Sequence, residues 1–217
     1  MNTKSTIRFG LLTLAFILVA GCEDSSKLSR SKAEKMIKTQ SAYTAPYAVG
    51  IPLNGNIRIN SGIAPVERQE ADINNALSKL QAAELITYNL LSTSRVMWAN
   101  DYKITVNLLD KSKEYMLGDW NTNDKGHEMT LNGNVVDFSG KGVLVHACDL
   151  VFQEVTGISF INNFGQQMAE VEFTDMFTNP TPFSILSNDY TCGKQIGKIQ
   201  NKRLAFQLYD DGWRIAH

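Results

Sequence analysis

Nucleophilic chemistry in this chain would have to come from Cys192 with His146, a thiol and an imidazole that only the fold could bring within reach of each other. The three histidines, His127, His146 and His217, are scattered, and none lies at helical spacing from another, so they form no metal motif. His127 beside Glu128 reads as a surface strand residue, and His146, inside an apolar run over residues 143–152, as a histidine hydrogen-bonded on or beneath a sheet. His217 ends the chain, where side chains fray. No Gly-x-Ser-x-Gly elbow, phosphate loop or dinucleotide fingerprint is present. The expectation is a protein that is not an enzyme, with no catalytic residue, no metal ligand and no cofactor.

The elements that would position these residues fall into two stretches. Ser31 and Glu34 have capping-box spacing, and Ala33, Met36, Ile37 and Gln40 follow one face, which predicts a helix over about residues 31–40. Pro46, Gly50, Pro52 and Gly55 break that pattern, and Ile57 and Ile59 alternate as a brief strand. A second helix starts near Pro65, with Ile73, Leu77 and Leu80 on its buried stripe. Residues 85–88 turn toward strand composition, residues 102–108 alternate as a returning strand, and residues 111–117 predict a final helix.

That order resembles a winged-helix domain, carried by Ala76, Leu77, Leu80, Leu85, Ile86 and Tyr88, then by residues 102–108 running into Leu109, Asp110, Lys111, Ser112 and Lys113. Winged helices often place glycine before the apolar pair and after the second strand, where this chain has Glu84 and Ser112. The helix that would enter a DNA groove offers only Lys79, with Glu67, Glu70 and Asp72 near its start, so phosphate would be repelled. The likeness implies a scaffold or protein-binding module and no nucleic acid.

Residues 120–126 read as a boundary, and strands follow. Residues 129–131 and 135–138 flank Asn132, Gly133 and Asn134, a hairpin turn. Ala169, Val171 and Phe173 alternate with Glu170, Glu172 and Thr174, and Leu204, Phe206 and Leu208 with polar neighbours. Asp210, Asp211 and Gly212 then turn the chain into Trp213 and Ile215. This ending resembles the last strands of cystatin-like and NTF2-like α+β domains, which curl an antiparallel sheet around a helix. Because such cones can enclose a pocket, the likeness makes His146, Asp149 and Asp175 candidates for a ligand-binding or hydrolytic site. Trp98, Trp120, Trp213 and Tyr209 are candidates for an interface, with Trp213 more simply a core residue; residues 179–183 form a rigid turn that either packs Phe183 as a corner or offers it as a contact.

The start of the chain carries a different signal. Lys4 and Arg8 precede a largely apolar run over residues 9–20, and Leu18, Val19, Ala20 and Gly21 lead into Cys22, the order of a secretory signal peptide. The run is shorter than the roughly 18 to 20 apolar residues of a spanning helix. It resembles a bacterial lipobox, which implies that residues 1–21 are removed and that Cys22 carries lipid. A single acyl chain holds a protein only marginally, so the likeness implies more than one on Cys22. Residues 22–27 then read as a short tether. Glu23, where an aspartate would signal inner-membrane retention, favours the outer membrane.

With Cys22 assigned to lipid, Cys148 and Cys192 remain as an even pair in a compartment where disulfides persist, and a bridge between them is expected; it would consume the Cys192 thiol. Loss of Lys4 and Arg8 lowers the 21 basic residues to 19 against 22 acidic ones, a balance that gives no nucleic-acid footprint and argues against a polybasic surface that would add to membrane attraction. The expected architecture is α+β: a small helical, winged-helix-like N-terminal module over residues 28–118, then a mainly antiparallel sheet module over residues 126–217. The expected protein is lipid-anchored, faces the periplasm from the cell membrane and binds an envelope protein.

Overall fold

One strand of 30 residues organises the molecule. In the computed structural model, which describes residues 27–60, 65–96, 99–121, 129–131, 134–163, 165–187 and 190–216, strand β6 runs from Asn134 to Asn163. Before it come helices α1 (Arg30–Lys38), α2 (Ser41–Thr44) and α3 (Val66–Ala82), and strands β1 (Tyr47–Asn60), β2 (Ile86–Val96), β3 (Ala99–Leu108), β4 (Met116–Asn121) and β5 (Met129–Leu131). After it come β7 (Gln166–Thr178), β8 (Ile199–Tyr209) and β9 (Gly212–Ile215). The strands join antiparallel in the order β2-β3-β1-β6-β7-β8-β9, with β4 and β5 also paired to β6. The class is α+β, dominated by a large antiparallel sheet.

The first half of β6 pairs with β1 from Tyr47↔Cys148 to Arg58↔Asp137, and its second half with β7 from Asp149↔Thr178 to Asn163↔Gln166. Each half supports its own core. On the first, α3 lays Ile73, Ala76, Leu77 and Leu80 against Ile51, Ile57, Ile59, Ile104 and Val145. On the second, α1 packs Ala33 and Ile37, with Leu28 just before it, against Val155, Val171, Phe173, Phe206 and Trp213. Fully burying Ile37 alone is worth about 1.5–3 kcal/mol. The first helix of the chain therefore lies on strands made from its last third.

Local chemistry sets the ends of these helices. Ser29, not Ser31, caps α1, its hydroxyl accepting from the Lys32 amide at 3.2 Å. α3 ends where the Leu85 amide bonds the Leu80 carbonyl, with Glu84 at φ 59 in the left-handed region. The helix expected over residues 111–117 is instead a 3-10 turn, Asp110–Tyr115, followed by β4. The Ser112 hydroxyl donates to the Leu109 carbonyl at 2.6 Å within that turn, and the next residues pair with residues 141–145 of β6. Pairing with an available strand outweighs a weak local helical pattern.

Sequence punctuation misleads at Ser139, Gly140, Lys141 and Gly142, which continue β6 rather than turn it. Gly140 lies opposite Gly55 of β1, so close that a methyl group on Gly55 would meet the Ser139 carbonyl and one on Gly140 the Asn54 carbonyl. Gly55→Ala is expected to cost about 2 kcal/mol, because the obstruction is backbone and cannot swing aside. Urea denaturation measures it; an unchanged midpoint would show that the two strands separate without penalty.

Candidate functional site

The sequence candidates converge in part, at the centre of β6. An extra residue near Ala147 bulges the strand, where Tyr47 faces Cys148 and Ala48 faces His146. Residues three apart in a regular strand point to opposite faces. Here His146 Nε2 lies 2.9 Å from Asp149 Oδ1, and both side chains are partly exposed. Asn179, at φ 48, donates its amide to Asp149 Oδ2 at 2.9 Å. Thr181 fastens the same turn to β6: its amide donates to the Ala147 carbonyl at 2.9 Å and its hydroxyl to the His146 carbonyl at 2.6 Å.

Cys148 and Cys192 are bridged, their Cα atoms 5.9 Å apart, and both are buried. The thiol that could have served His146 as a nucleophile is spent. The bridge instead closes the segment between β7 and β8 over the first core. There a 3-10 turn, Pro182–Leu186, buries Phe183 and Leu186, with Phe183 edge-on to Tyr115 at 5.6 Å. Phe183 is thus a packed corner rather than a contact point.

Asp175 stands apart from His146 and Asp149. It lies on β7 opposite Phe152 and is 1% exposed. The Tyr43 hydroxyl donates to its Oδ2 at 2.9 Å, while Oδ1 has no hydrogen-bond partner. Burial pushes this carboxyl above the usual aspartate range, opposed by the Tyr43 hydrogen bond and the Lys202 charge. Burial and the neighbouring carboxylate push the Tyr43 phenol up as well. Tyr43 sits edge-on to Phe152 and Phe173, which stack on each other at 5.9 Å, and Lys38 Nζ lies 4.9 Å from the Phe152 ring centre. Sequence reasoning singled out Asp175 but not Tyr43, whose role depends on α2 placing it 132 residues away from its partner.

The remaining aromatic candidates divide. Trp213 is buried in the second core and Trp120 stacks on Phe138 at 5.1 Å, whereas Tyr209 is exposed beneath the Arg214 guanidinium. Of two grooves of about 450 and 480 Å³, the first holds the Arg58–Asp101 ion pair and the second is lined by Met36, Arg214 and the candidate Tyr209. Among the described residues no three His, Cys, Asp or Glu side chains are grouped to hold a metal ion, and no helix is long and apolar enough to cross a membrane. The leader, Cys22, the tether to residue 26, Trp98, His127 and His217 lie outside the described residues.

The sheet also ends in an open edge. Among the described residues β2 pairs only with β3, and its residues Ile86 to Val96 contain no proline, glycine or lysine. Its one charge, Arg95, is paired with Glu67 at 2.9 Å, and Leu91 is 54% exposed. The Leu109 amide bonds the Leu85 carbonyl, so antiparallel alternation turns the backbone groups of Ile86, Tyr88 and Leu90 away from β3. Comparison with protein-family models, with curated proteins and with solved structures finds no match to this chain.

Proposed function

We propose that this is a lipid-anchored envelope protein that holds a protein partner beside the membrane on its periplasmic side by accepting a strand at the β2 edge, without chemistry of its own. The open edge carries the reading: natural sheets blunt such strands with lysine, proline or brevity, and this one has none of the three. The leader ending in Cys22 supplies the anchor, more than one acyl chain the firm hold, and Glu23 favours the outer membrane.

The finer likenesses belong to the same proposal. α3 followed by the β2–β3 pair, with Glu84 at φ 59 where glycine is usual, supports a winged-helix-like unit used for protein contact. α1 lying on β6 to β9 supports a cystatin-like or NTF2-like second half. A photocrosslinker at Leu91 in the anchored protein is expected to capture one stoichiometric envelope protein, and Leu91→Lys to lower the partner's affinity about tenfold, equivalent to about 1.4 kcal/mol. Leu91→Lys changes an exposed side chain, so the fold should be unaffected. Affinity that is unchanged in Leu91→Lys would move the contact away from β2; capture that survives Cys22→Ser would show that the anchor does not bring the partner close.

A further inference from the structure

We infer that the β6–β7 hairpin end is a membrane-contact surface, with Phe160 and Ile161 set into the lipid interface beside the anchor; this rests on the lipid attachment at Cys22 proposed above. Phe160 is 63% exposed and Ile161 52%, on a strand end outside the second core. Together with Met168, Trp213 and Lys27 they line a groove of about 360 Å³. Trp213 is buried beneath Phe160, their rings edge-on at 5.9 Å, so Phe160 rests on a rigid base.

What covers this surface follows from where the chain arrives. Lys27 is a wall of the groove and lies five residues after Cys22. Five residues span at most about 18 Å, so an acylated Cys22 holds the groove within that distance of its own lipid. The polar zone of one leaflet is about 5–8 Å deep, and a bilayer surface is therefore the nearest apolar phase available to Phe160 and Ile161.

Charge supports the same occupant. Lys27, Arg30, Lys32, Lys35 and Lys38 stand against Glu34 alone over the twelve residues that begin at the groove, although the chain as a whole is slightly acidic. Arg30, Lys35 and Lys38 are exposed along α1. Such a run is attracted to anionic headgroups. Against it stand Glu23 and Asp24, between Cys22 and Lys27 in the sequence, Asp210 and Asp211 in the β8–β9 turn, where Arg214 pairs with Asp211, and Glu170 of β7, which Arg203 pairs.

The test uses the acylated full-length protein in phosphatidylethanolamine–phosphatidylglycerol vesicles, with a nitroxide on Ile161→Cys and, separately, on Ile199→Cys. Ile199 is 67% exposed at the far end of β8, and the other cysteines are lipidated or bridged. At position 161, collision with oxygen should rise and collision with a water-soluble nickel chelate fall severalfold on reconstitution, while position 199 stays water-like. Equal nickel access at both positions, in protein that floats with the vesicles, overturns the contact surface and leaves the anchor intact. A label at 161 already shielded before vesicles are added would assign the surface to a second copy of this chain and also overturn the proposal. An intact mass without acyl groups on Cys22 would remove the anchor reading, and this inference with it.

Discussion

Protein carrying Cys148→Ala and Cys192→Ala together should unfold with about 4 kcal/mol less stability than the bridged form. The bridge spans 44 residues, and a loop of that length restricts the unfolded chain by roughly this amount in the chain-entropy account. The loss should be concentrated over the first core, because the closed segment places Phe183 and Leu186 on it and ties Thr181 to β6. Denaturant midpoints with and without reductant measure the effect, and hydrogen exchange locates it. A loss under about 1 kcal/mol would mean that the unfolded chain is already restricted without the bridge.

Tyr43→Phe should cost about 2–3 kcal/mol, since it removes the one hydrogen bond to a buried carboxyl whose other oxygen has no partner. The same site sets a pH dependence of defined sign. Asp175 is held above its unfolded value, so between the ordinary aspartate range near pH 4 and the raised folded value the native state binds more protons than the unfolded one. Its contribution to stability is therefore greatest at low pH and is lost as pH rises through the folded value. The carboxyl of Glu67 is held low by its own backbone amide and then by Arg95, and those of Glu84, Asp101 and Asp110 by Lys111, Arg58 and Lys113; all slope the opposite way, so the comparison must be with Asp175→Asn. Stability relative to Asp175→Asn should fall with rising pH in the wild type, and the window should extend to higher pH in Tyr43→Phe. A flat difference would show that Asp175 titrates alike in the folded and unfolded states.

The sequence carries the elements whose patterns are local. The stripe of Ile73, Leu77 and Leu80 announces α3, and the alternation of Ile104, Val106 and Leu108 announces β3. The length of β6 is hidden because Gly140 and Gly142 look like turn residues, whereas they make room for β1 and for Trp120. β4 is hidden because its residues have strand geometry only when β6 is beside them. At the site, Asp149 was named with His146, yet their contact depends on a bulge that no periodicity encodes. The basic run from Lys27 to Lys38 is plain in the sequence but is obscured by a whole-chain charge balance; its meaning depends on α1 beginning next to Phe160 and Trp213.

The placement of α1 also bears on how a newly made chain is completed. Synthesis delivers Leu28, Ala33 and Ile37 long before Phe206 and Trp213, the residues with which they share a core. Until those last strands arrive, α1 can lie on β6 and β7, but the part of its core made by Phe206 and Trp213 is missing. A product truncated before residue 204 would lack Phe206 and Trp213 and leave that side of the α1 core uncovered. The state of the C-terminus is thus expressed at the N-terminus.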